Sequence, residues 1–172
     1  TRDGFQQIEQ HLASVFRLGA RLPPDLDYLL WQAGRAEAAV MASGHDLSPC
    51  FNDGYISNYM VNATGDVRII DWEYASNNDP VWDLAIFCME CFFNAATRNE
   101  IVEEYYGTLR HDVLARIDAY EALVCLKWGL WAALQAVVSR IPFDFCKYAD
   151  LLFMRARGVM RHPRFEAALL KL

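Results

Sequence analysis

Residues 58–71, NYMVNATGDVRIID, decide the architecture that the sequence predicts. The runs 58–62 and 67–71 are short and β-prone, and the four residues between them have turn chemistry, so the stretch predicts a β-hairpin. In a symmetric hairpin Asn58 faces Asp71 at the open end. Directly opposed residues share one face, with Cα atoms about 4.5–5.5 Å apart. An amide oxygen and a carboxylate would then converge on one point.

Convergent oxygen atoms of this kind are suited to a hard cation. Mg²⁺ takes a few protein oxygens and leaves its other positions to water and substrate phosphate. Asp53 precedes Asn58 by five residues, so a third polar group is expected beside the pair. The alternative is structural, because Asn and Asp are common at strand ends and turns, where they satisfy backbone groups.

The rest of the chain is predominantly helical in pattern. We therefore predict a mainly α fold with a small β-hairpin element (α+β), as a single domain over residues 1–172. Asp79 and Pro80 have the character of an N-cap and a first helical residue. The predicted helices are Phe5–Leu18, Leu26–Met41, Pro80 to about Asn94, Ile101–Tyr106, Val113–Ser139 in one or two pieces, and Tyr148–Met160.

Composition excludes several classes of protein. The net charge of −6 argues against a nucleic-acid partner. The five cysteines are an odd number without a second close pair, which favours reduced thiols in a cytoplasmic protein over a zinc site or disulfides. The most apolar stretch, Ala119–Val138, contains Glu121, Lys127 and Gln135. It therefore predicts a buried helix rather than a membrane span.

Three segments resemble one family. FNDGYISN at 51–58, IDWEYA at 70–75 and DPVWDLA at 79–85 are similar to the catalytic and metal-binding segments of the choline/ethanolamine kinases. That family shares the protein-kinase-like fold with the aminoglycoside phosphotransferases. The resemblance implies Asp53 as catalytic base, Asn58 and Asp71 as Mg²⁺ ligands, and Asp83 as a brace for the catalytic loop, roles that match the general kinase scheme. An acidic residue in the first turn of a helix is also favourable by itself, so Asp83 has a structural interpretation too.

The chain departs from the family pattern at two positions. Phe51 stands where the family has a histidine, and Gly54 stands where Leu is common. His45 and Asp46 do not replace the lost histidine, because their spacing to Asn58 is wrong. Since the histidine usually organises the loop backbone, its absence leaves open a weakened or absent turnover.

A second constellation is KWGLWAALQ at 127–135. Trp128, Trp131 and Gln135 share one face of the predicted helix, and Gly129 costs that helix roughly 1 kcal/mol relative to Ala, which implies a close approach to its backbone. A quaternary ammonium group cannot donate hydrogen bonds and is held by aromatic faces. By resemblance to the choline kinases, the two Trp form part of such a box. The alternative is that both pack in the core.

Four further residues are assigned to the substrate site by the same resemblance: Tyr74, Glu90, Phe143 and Tyr148. A buried Glu90 needs a partner, and a bound cation would serve. Its alternatives are exposure to water or a pair with a nearby Arg or Lys. Ordinary packing is the alternative for the two aromatic residues that follow the Trp helix.

The resemblance implies a small-molecule kinase that transfers the γ-phosphate of ATP to the hydroxyl of choline, with Mg²⁺ as cofactor. Such a kinase needs an N-terminal lobe with a phosphate-covering loop and a strand lysine. Neither motif occurs, so the chain is interpreted as a C-terminal lobe whose N-terminal lobe lies outside it. The alternatives are a kinase for ethanolamine, an aminoglycoside or another amino alcohol, a catalytically inactive choline-binding module, or a purely structural helical domain.

Overall fold

The computed structural model describes residues 3–44 and 46–172, so His45 lies outside the described residues. The order of elements is α1 Gly4–Arg17, α2 Leu26–Ser43, β1 Ser48–Cys50, β2 Tyr59–Val61, β3 Val67–Ile69, β4 Ser76–Asn78, α3 Pro80–Glu90, α4 Ala95–Tyr106, α5 His111–Val138, α6 Phe145–Arg161 and α7 Pro163–Leu169. Two 3₁₀ turns, Ile56–Asn58 and Trp72–Tyr74, lie beside the hairpin. The predicted mainly α architecture with a small β element is confirmed.

Helix α5 forms the centre of the fold. Its 28 residues pack against α1, α2, α3, α4, α6 and α7. It is long and apolar enough by composition to cross a bilayer, but most of that apolar window is buried against the other helices, as in the core helix of a folded domain. Its burial on all sides explains why its sequence is apolar around its whole circumference rather than along one stripe.

Helix α3 begins where the sequence predicts and ends earlier. Asp79 caps the helix by accepting a hydrogen bond from the backbone N–H of Val81 at 2.9 Å, and Pro80 is the first helical residue. The helix ends at Glu90 rather than near Asn94, because Phe92 adopts a left-handed backbone conformation (φ 54°) that stops helical propagation. Residues 91–93 are as apolar as the helix before them, so the sequence gives no sign that the helix ends there.

The hairpin forms in a register one residue away from the predicted one. Tyr59 pairs with Ile69, so Asn58 is opposite Ile70, whose N–H donates to its carbonyl at 3.0 Å. The predicted pairing of Asn58 with Asp71 is therefore wrong. The cause is a five-residue turn, 62–66, in which the Asn62 side chain accepts hydrogen bonds from the turn backbone.

A second two-stranded sheet, absent from the prediction, pairs β1 with β4 in antiparallel register. Both strands have three residues and one is SNN, so neither carries the alternation that identifies a strand in sequence. This sheet ties together the two ends of the segment 51–75. The two kinase-like segments that lie between these strands, 51–58 and 70–75, are therefore held in one unit. We call residues 51–75 the loop assembly; it packs beside α3 and α5.

Candidate active site

Asn52 organises the loop that carries Asp53. Its backbone is left-handed (φ 62°), a conformation that Asn tolerates better than most residues. Its side-chain Nδ2 lies within hydrogen-bond distance of the carbonyl oxygens of Cys50, Tyr74 and Ser76, at 3.4, 3.2 and 3.2 Å, and of the Ser76 hydroxyl at 2.9 Å. Its Oδ1 accepts from Nδ2 of Asn78 at 2.8 Å. One fully buried amide thus joins both sides of the loop assembly.

The hydrogen bonds continue from Asn78 into the helices. Asn78 Oδ1 accepts from the N–H groups of Gly4 and Asp79. Asp79 then accepts from Arg116 at 2.7 Å and from the Tyr120 hydroxyl at 2.8 Å. We call Asn52, Asn78 and Asp79 the Asn52 cluster. It anchors the loop assembly to α1, α3 and α5.

Asp83 supports the same loop from α3. Its two carboxylate oxygens accept hydrogen bonds from the backbone N–H groups of Phe51 and Asn52, each at 2.7 Å. Burial raises the pKa of Asp83, while the two backbone hydrogen bonds and the charge of Lys127 act in the opposite direction. This geometry is that of a brace for the loop backbone, which is the role that the resemblance implies.

Phe51 is buried directly beside this brace. Its ring makes edge contacts with Trp72 at 4.9 Å and Tyr59 at 6.3 Å between centroids. Gly54 is also explained locally, since a Cβ there would lie 2.9 Å from Cγ2 of Ile86. Apolar packing around Phe51, together with the Asn52 cluster and Asp83, holds a loop that lacks the family histidine.

Asp53 and Asn58 are joined directly. Nδ2 of Asn58 donates to the backbone carbonyl of Asp53 at 3.2 Å and to its carboxylate at 3.1 Å. No described residue donates a hydrogen bond to Oδ1 of Asn58, so that oxygen is available to a ligand. Burial raises the pKa of Asp53, and Lys127 and Asn58 lower it in part. Asp53 is therefore a half-buried carboxylate of increased basicity.

Asp71 reaches the same place by a different route from the predicted one. It follows β3 with a left-handed backbone (φ 65°) and precedes the 3₁₀ turn Trp72–Tyr74. This turn, rather than cross-strand pairing, brings its exposed side chain to the cavity that Asp53 and Asn58 also line. Within the described part of the chain no three His, Cys, Asp or Glu side chains form a metal-binding group. A cation here would rest on Asn58 and Asp71 plus ligand or water oxygens.

A cavity of about 410 Å³ connects these polar groups to a set of aromatic rings. It is lined by Asp53, Tyr55, Ser57, Asn58, Asp71, Glu73, Ile86, Glu90, Trp128, Trp131, Ile141, Phe143, Phe145 and Tyr148. Eight of the ten predicted site residues are among them. Asp83 instead hydrogen-bonds the loop backbone from α3, and Tyr74 contacts the lining residue Trp128, with the two rings 5.4 Å apart in an edge contact.

The aromatic side of the cavity is a continuous series of edge contacts. Trp128 contacts Trp131 at 5.5 Å, Trp131 contacts Phe145 at 5.9 Å, and Phe143 contacts both Phe145 and Tyr148, at 4.9 and 5.9 Å. We call these five residues the aromatic wall. Burial raises the pKa of the Tyr148 hydroxyl, which therefore stays protonated at neutral pH. The wall offers ring surface to whatever occupies the cavity.

Gly129 supports this wall from behind. A Cβ at this position would lie 2.9 Å from the ring of Phe153. The close approach that the sequence indicated is therefore made by helix α6, not by a ligand. Contact between α5 and α6 places Trp128 and Trp131 opposite Phe145 and Tyr148.

Glu90 is the carboxylate of the aromatic side. It lines the cavity, and its carboxylate lies 3.8 Å from Arg155, a long ion pair. Burial raises its pKa, Arg155 lowers it and Asp53 raises it. A local arginine and a cavity ligand can therefore both interact with Glu90.

Several lining residues were missed by the sequence analysis: Tyr55, Ser57, Glu73, Ile86, Ile141 and Phe145. They carry no signal beyond lying next to residues that were singled out. Lys127 was also missed as a site residue, although a lysine within an apolar helical run was a detectable signal. It is fully buried behind Trp128.

Residues 4–123 match the phosphotransferase enzyme family. The probable choline kinase 2 of Arabidopsis thaliana is 25% identical over 168 residues, covering 83% of this chain and 47% of that protein. A choline/ethanolamine kinase family protein from Mesorhizobium loti has a TM-score of 0.90 at 30% identity, over 98% of this chain and 58% of that one. Plasmodium vivax ethanolamine kinase shares the fold, with a TM-score of 0.80 at 17% identity over 98% and 51% of the two chains.

The curated relatives are longer than this chain, which spans less than half of their length. The match to the family model covers most of the chain and includes the whole loop assembly with Asp53, Asn58 and Asp71. This chain therefore belongs to the phosphotransferase enzyme family, with choline/ethanolamine kinases among its relatives.

Proposed function

We propose that this chain is the C-terminal, substrate-binding lobe of a kinase that transfers the γ-phosphate of ATP to the hydroxyl of choline. One observation carries the proposal: a single cavity is lined both by the polar groups Asp53, Asn58 and Asp71 and by the aromatic wall with Glu90. Choline has the same two-ended chemistry, with a hydroxyl two carbons from a quaternary ammonium group.

The polar end supports the phosphoryl transfer. Asp53 takes the proton of the substrate hydroxyl, the hydroxyl oxygen bonds to the γ-phosphorus, and the bond from that phosphorus to ADP breaks. The basicity that burial confers on Asp53 suits this role. Asn58 and Asp71 would hold Mg²⁺, which neutralises phosphate charge when bound. The free Oδ1 of Asn58 and the exposed carboxylate of Asp71 fit that cation.

The aromatic end favours choline over more polar amines. A quaternary ammonium group gains from ring faces and from one carboxylate, and it loses no hydrogen bonds on leaving water as a primary amine does. Five rings and Glu90 line this end. An ethanolamine, aminoglycoside or other amino-alcohol kinase would be expected to present more hydrogen-bond acceptors here.

The nucleotide site belongs to the same proposal. The relatives that this chain matches are about twice its length. We propose that the phosphate-covering loop and the strand lysine of such a kinase belong to an N-terminal lobe that packs beside the hairpin. Exposed apolar side chains on the hairpin, Met60, Val61, Val67, Ile69 and Ile70, fit burial by such a lobe.

The test is phosphocholine formation by the full-length protein and by Asp53→Asn. We expect Asp53→Asn to lower kcat by about 10²–10⁴-fold with choline affinity within about twofold, because the aromatic end is unchanged. Asp66→Asn, which changes an exposed carboxylate in the hairpin turn, is the matched control. Full activity of Asp53→Asn would refute the mechanism. Choline binding without turnover by the wild type would identify an inactive binding module, and preference for ethanolamine would reassign the substrate.

A further inference from the structure

Lys127 is a buried lysine whose ammonium faces aromatic rings. Its side chain is fully buried, and its Nζ has no hydrogen-bond partner among residues 3–44 and 46–172. The ammonium lies 3.4 Å from the ring centroid of Trp128 and 5.0 Å from that of Tyr74. Trp128 lines the cavity. Trp128 therefore contacts both a buried lysine and the space that a ligand would occupy.

The charged groups around Lys127 come from three elements. Asp53 in the loop and Asp83 on α3 favour its protonated form, but burial opposes that form more strongly and lowers the pKa to about 7. His11 on α1 has its pKa lowered to about 4 by burial and by Lys127, so it is neutral from pH 6 upward. Tyr74 contributes only its ring, since burial raises its phenol pKa. Lys127 is therefore the group in this surrounding that titrates near neutral pH.

We propose that Lys127 is a specificity-determining residue. Its ammonium contacts the Trp128 ring, so a cationic substrate that binds to the same residue in the cavity repels it and causes Lys127 to release its proton. The inference rests on the proposed function, because it requires a cation at the aromatic wall. Two unit charges on either side of one ring lie within about 10 Å of each other. Their repulsion weakens cation binding roughly tenfold when Lys127 is charged.

Choline affinity and proton release are then linked. The site binds the cation best when Lys127 is neutral, so affinity rises as pH increases through 7. With a roughly tenfold penalty, choline binding releases about half a proton near pH 6.5 and almost none at pH 8.5. Affinity rises roughly threefold over the same interval. An uncharged ligand of the same shape, 3,3-dimethylbutan-1-ol, meets no repulsion and releases no proton.

Calorimetry of the full-length protein in two buffers of different ionisation enthalpy measures this release directly. We expect wild type to release about half a proton per choline at pH 6.5, and Lys127→Met to release none. Lys127→Met should also bind choline at pH 6.5 as tightly as wild type does at pH 8.5. Lys171→Met removes an exposed lysine at the C-terminus and should behave as wild type.

Each other outcome has a definite meaning. Equal proton release by wild type and Lys127→Met would assign the proton to a carboxylate such as Glu90 and overturn the inference. Release on binding of 3,3-dimethylbutan-1-ol would overturn it as well. Absence of choline binding by wild type and variant at both pH values would refute the proposed choline function itself. If Lys127→Met does not fold, Lys127→Arg is tested instead. Because arginine stays charged at both pH values, this variant should bind choline weakly at both and release no proton.

Discussion

The Asn52 cluster and Lys127 are two arrangements of buried polar groups beside the same site. Asn52 and Lys127 are both completely inaccessible to solvent. The amide of Asn52 lies within hydrogen-bond distance of five groups on two strands and one turn. The ammonium of Lys127 instead faces two aromatic rings and has no hydrogen-bond partner among the residues described.

The difference separates two uses of buried polarity. A buried group with every partner in place selects one conformation and contributes to stability, because any rearrangement leaves it desolvated and unpaired. A buried charge without a partner costs stability and shifts its own pKa instead. The first fixes the loop that carries Asp53. The second makes the aromatic wall sensitive to charge.

The largest expected effect comes from removing the unpaired charge. Lys127 titrates near pH 7 in the folded state and near 10.5 in the unfolded state, so only the unfolded state keeps the proton between these values. The free energy of unfolding of wild type, relative to Lys127→Met, should therefore be lowest at or below pH 7 and rise by about 1.4 kcal/mol per pH unit above it. Lys127→Met should be the more stable protein at pH 7, by up to about 4 kcal/mol.

Urea unfolding of both proteins between pH 6.5 and 9.5 measures this difference. Taking wild type minus variant removes the contributions of other titrating groups. A difference that does not change with pH would show that folded Lys127 has an ordinary pKa. That result would also remove the contrast with Asn52.

The next effect comes from breaking the satisfied cluster. Asn52→Ala removes the amide whose two N–H donors face three backbone carbonyls and the Ser76 hydroxyl, and Ala tolerates the positive φ less well than Asn does, so we expect a loss of about 3 kcal/mol. Asn52→Gly should recover about 1 kcal/mol of this, because only the backbone strain is relieved. The measurement is the free energy of unfolding in urea.

Asn62 provides the matched control for that change. It also bonds to several groups, Thr64 and Asp66 among them, but in an exposed turn where water can replace it. Asn62→Ala should cost less than about 1 kcal/mol. Equal losses at Asn52 and Asn62 would mean that burial does not distinguish the two networks.

The smallest effect tests the support of the aromatic wall. Gly129→Ala places a methyl group 2.9 Å from the ring of Phe153 and should cost about 1–2 kcal/mol through overpacking. Gly158→Ala on α6 meets no atom within 4 Å and should stabilise by about 1 kcal/mol through helix propensity. Thermal unfolding should show a lower Tm than wild type for Gly129→Ala and a higher Tm for Gly158→Ala. Stabilisation by both would show that α5 and α6 have room to move apart.

Much of the local structure could be predicted because its causes are local. The cap at Asp79, the apolar periodicity of α1 and α6, and the turn chemistry after Val61 depend on residues only a few positions apart. The resemblance in the loop segments pointed to Asp53, Asn58 and Asp71, and the structure does bring these three to one cavity. Their proposed roles remain predictions.

The hairpin register and the position of Asp71 depended on details that the pattern does not contain. Hydrogen bonds from the backbone N–H groups of Thr64 and Asp66 to the Asn62 side chain lengthen the turn by one residue, and the left-handed backbone of Asp71 then redirects its side chain. The predicted pairing of Asn58 with Asp71 was therefore wrong, because it assumed an ideal turn, and the two residues line one cavity by a different route.

The helical class, the β element and the residue types of a kinase-like site could be read from the sequence, since these follow from periodicity and short-range motifs. Three features could come only from the fold: the edge contact of Tyr74 with Trp128, the joining of three segments by Asn52, and the burial of Lys127 with no hydrogen-bond partner for its ammonium in the described part of the chain. Those facts depend on which groups meet within the loop assembly and between it and α5. Contacts between residues distant in sequence set the desolvation and the pairing of each buried group, and no local pattern encodes them.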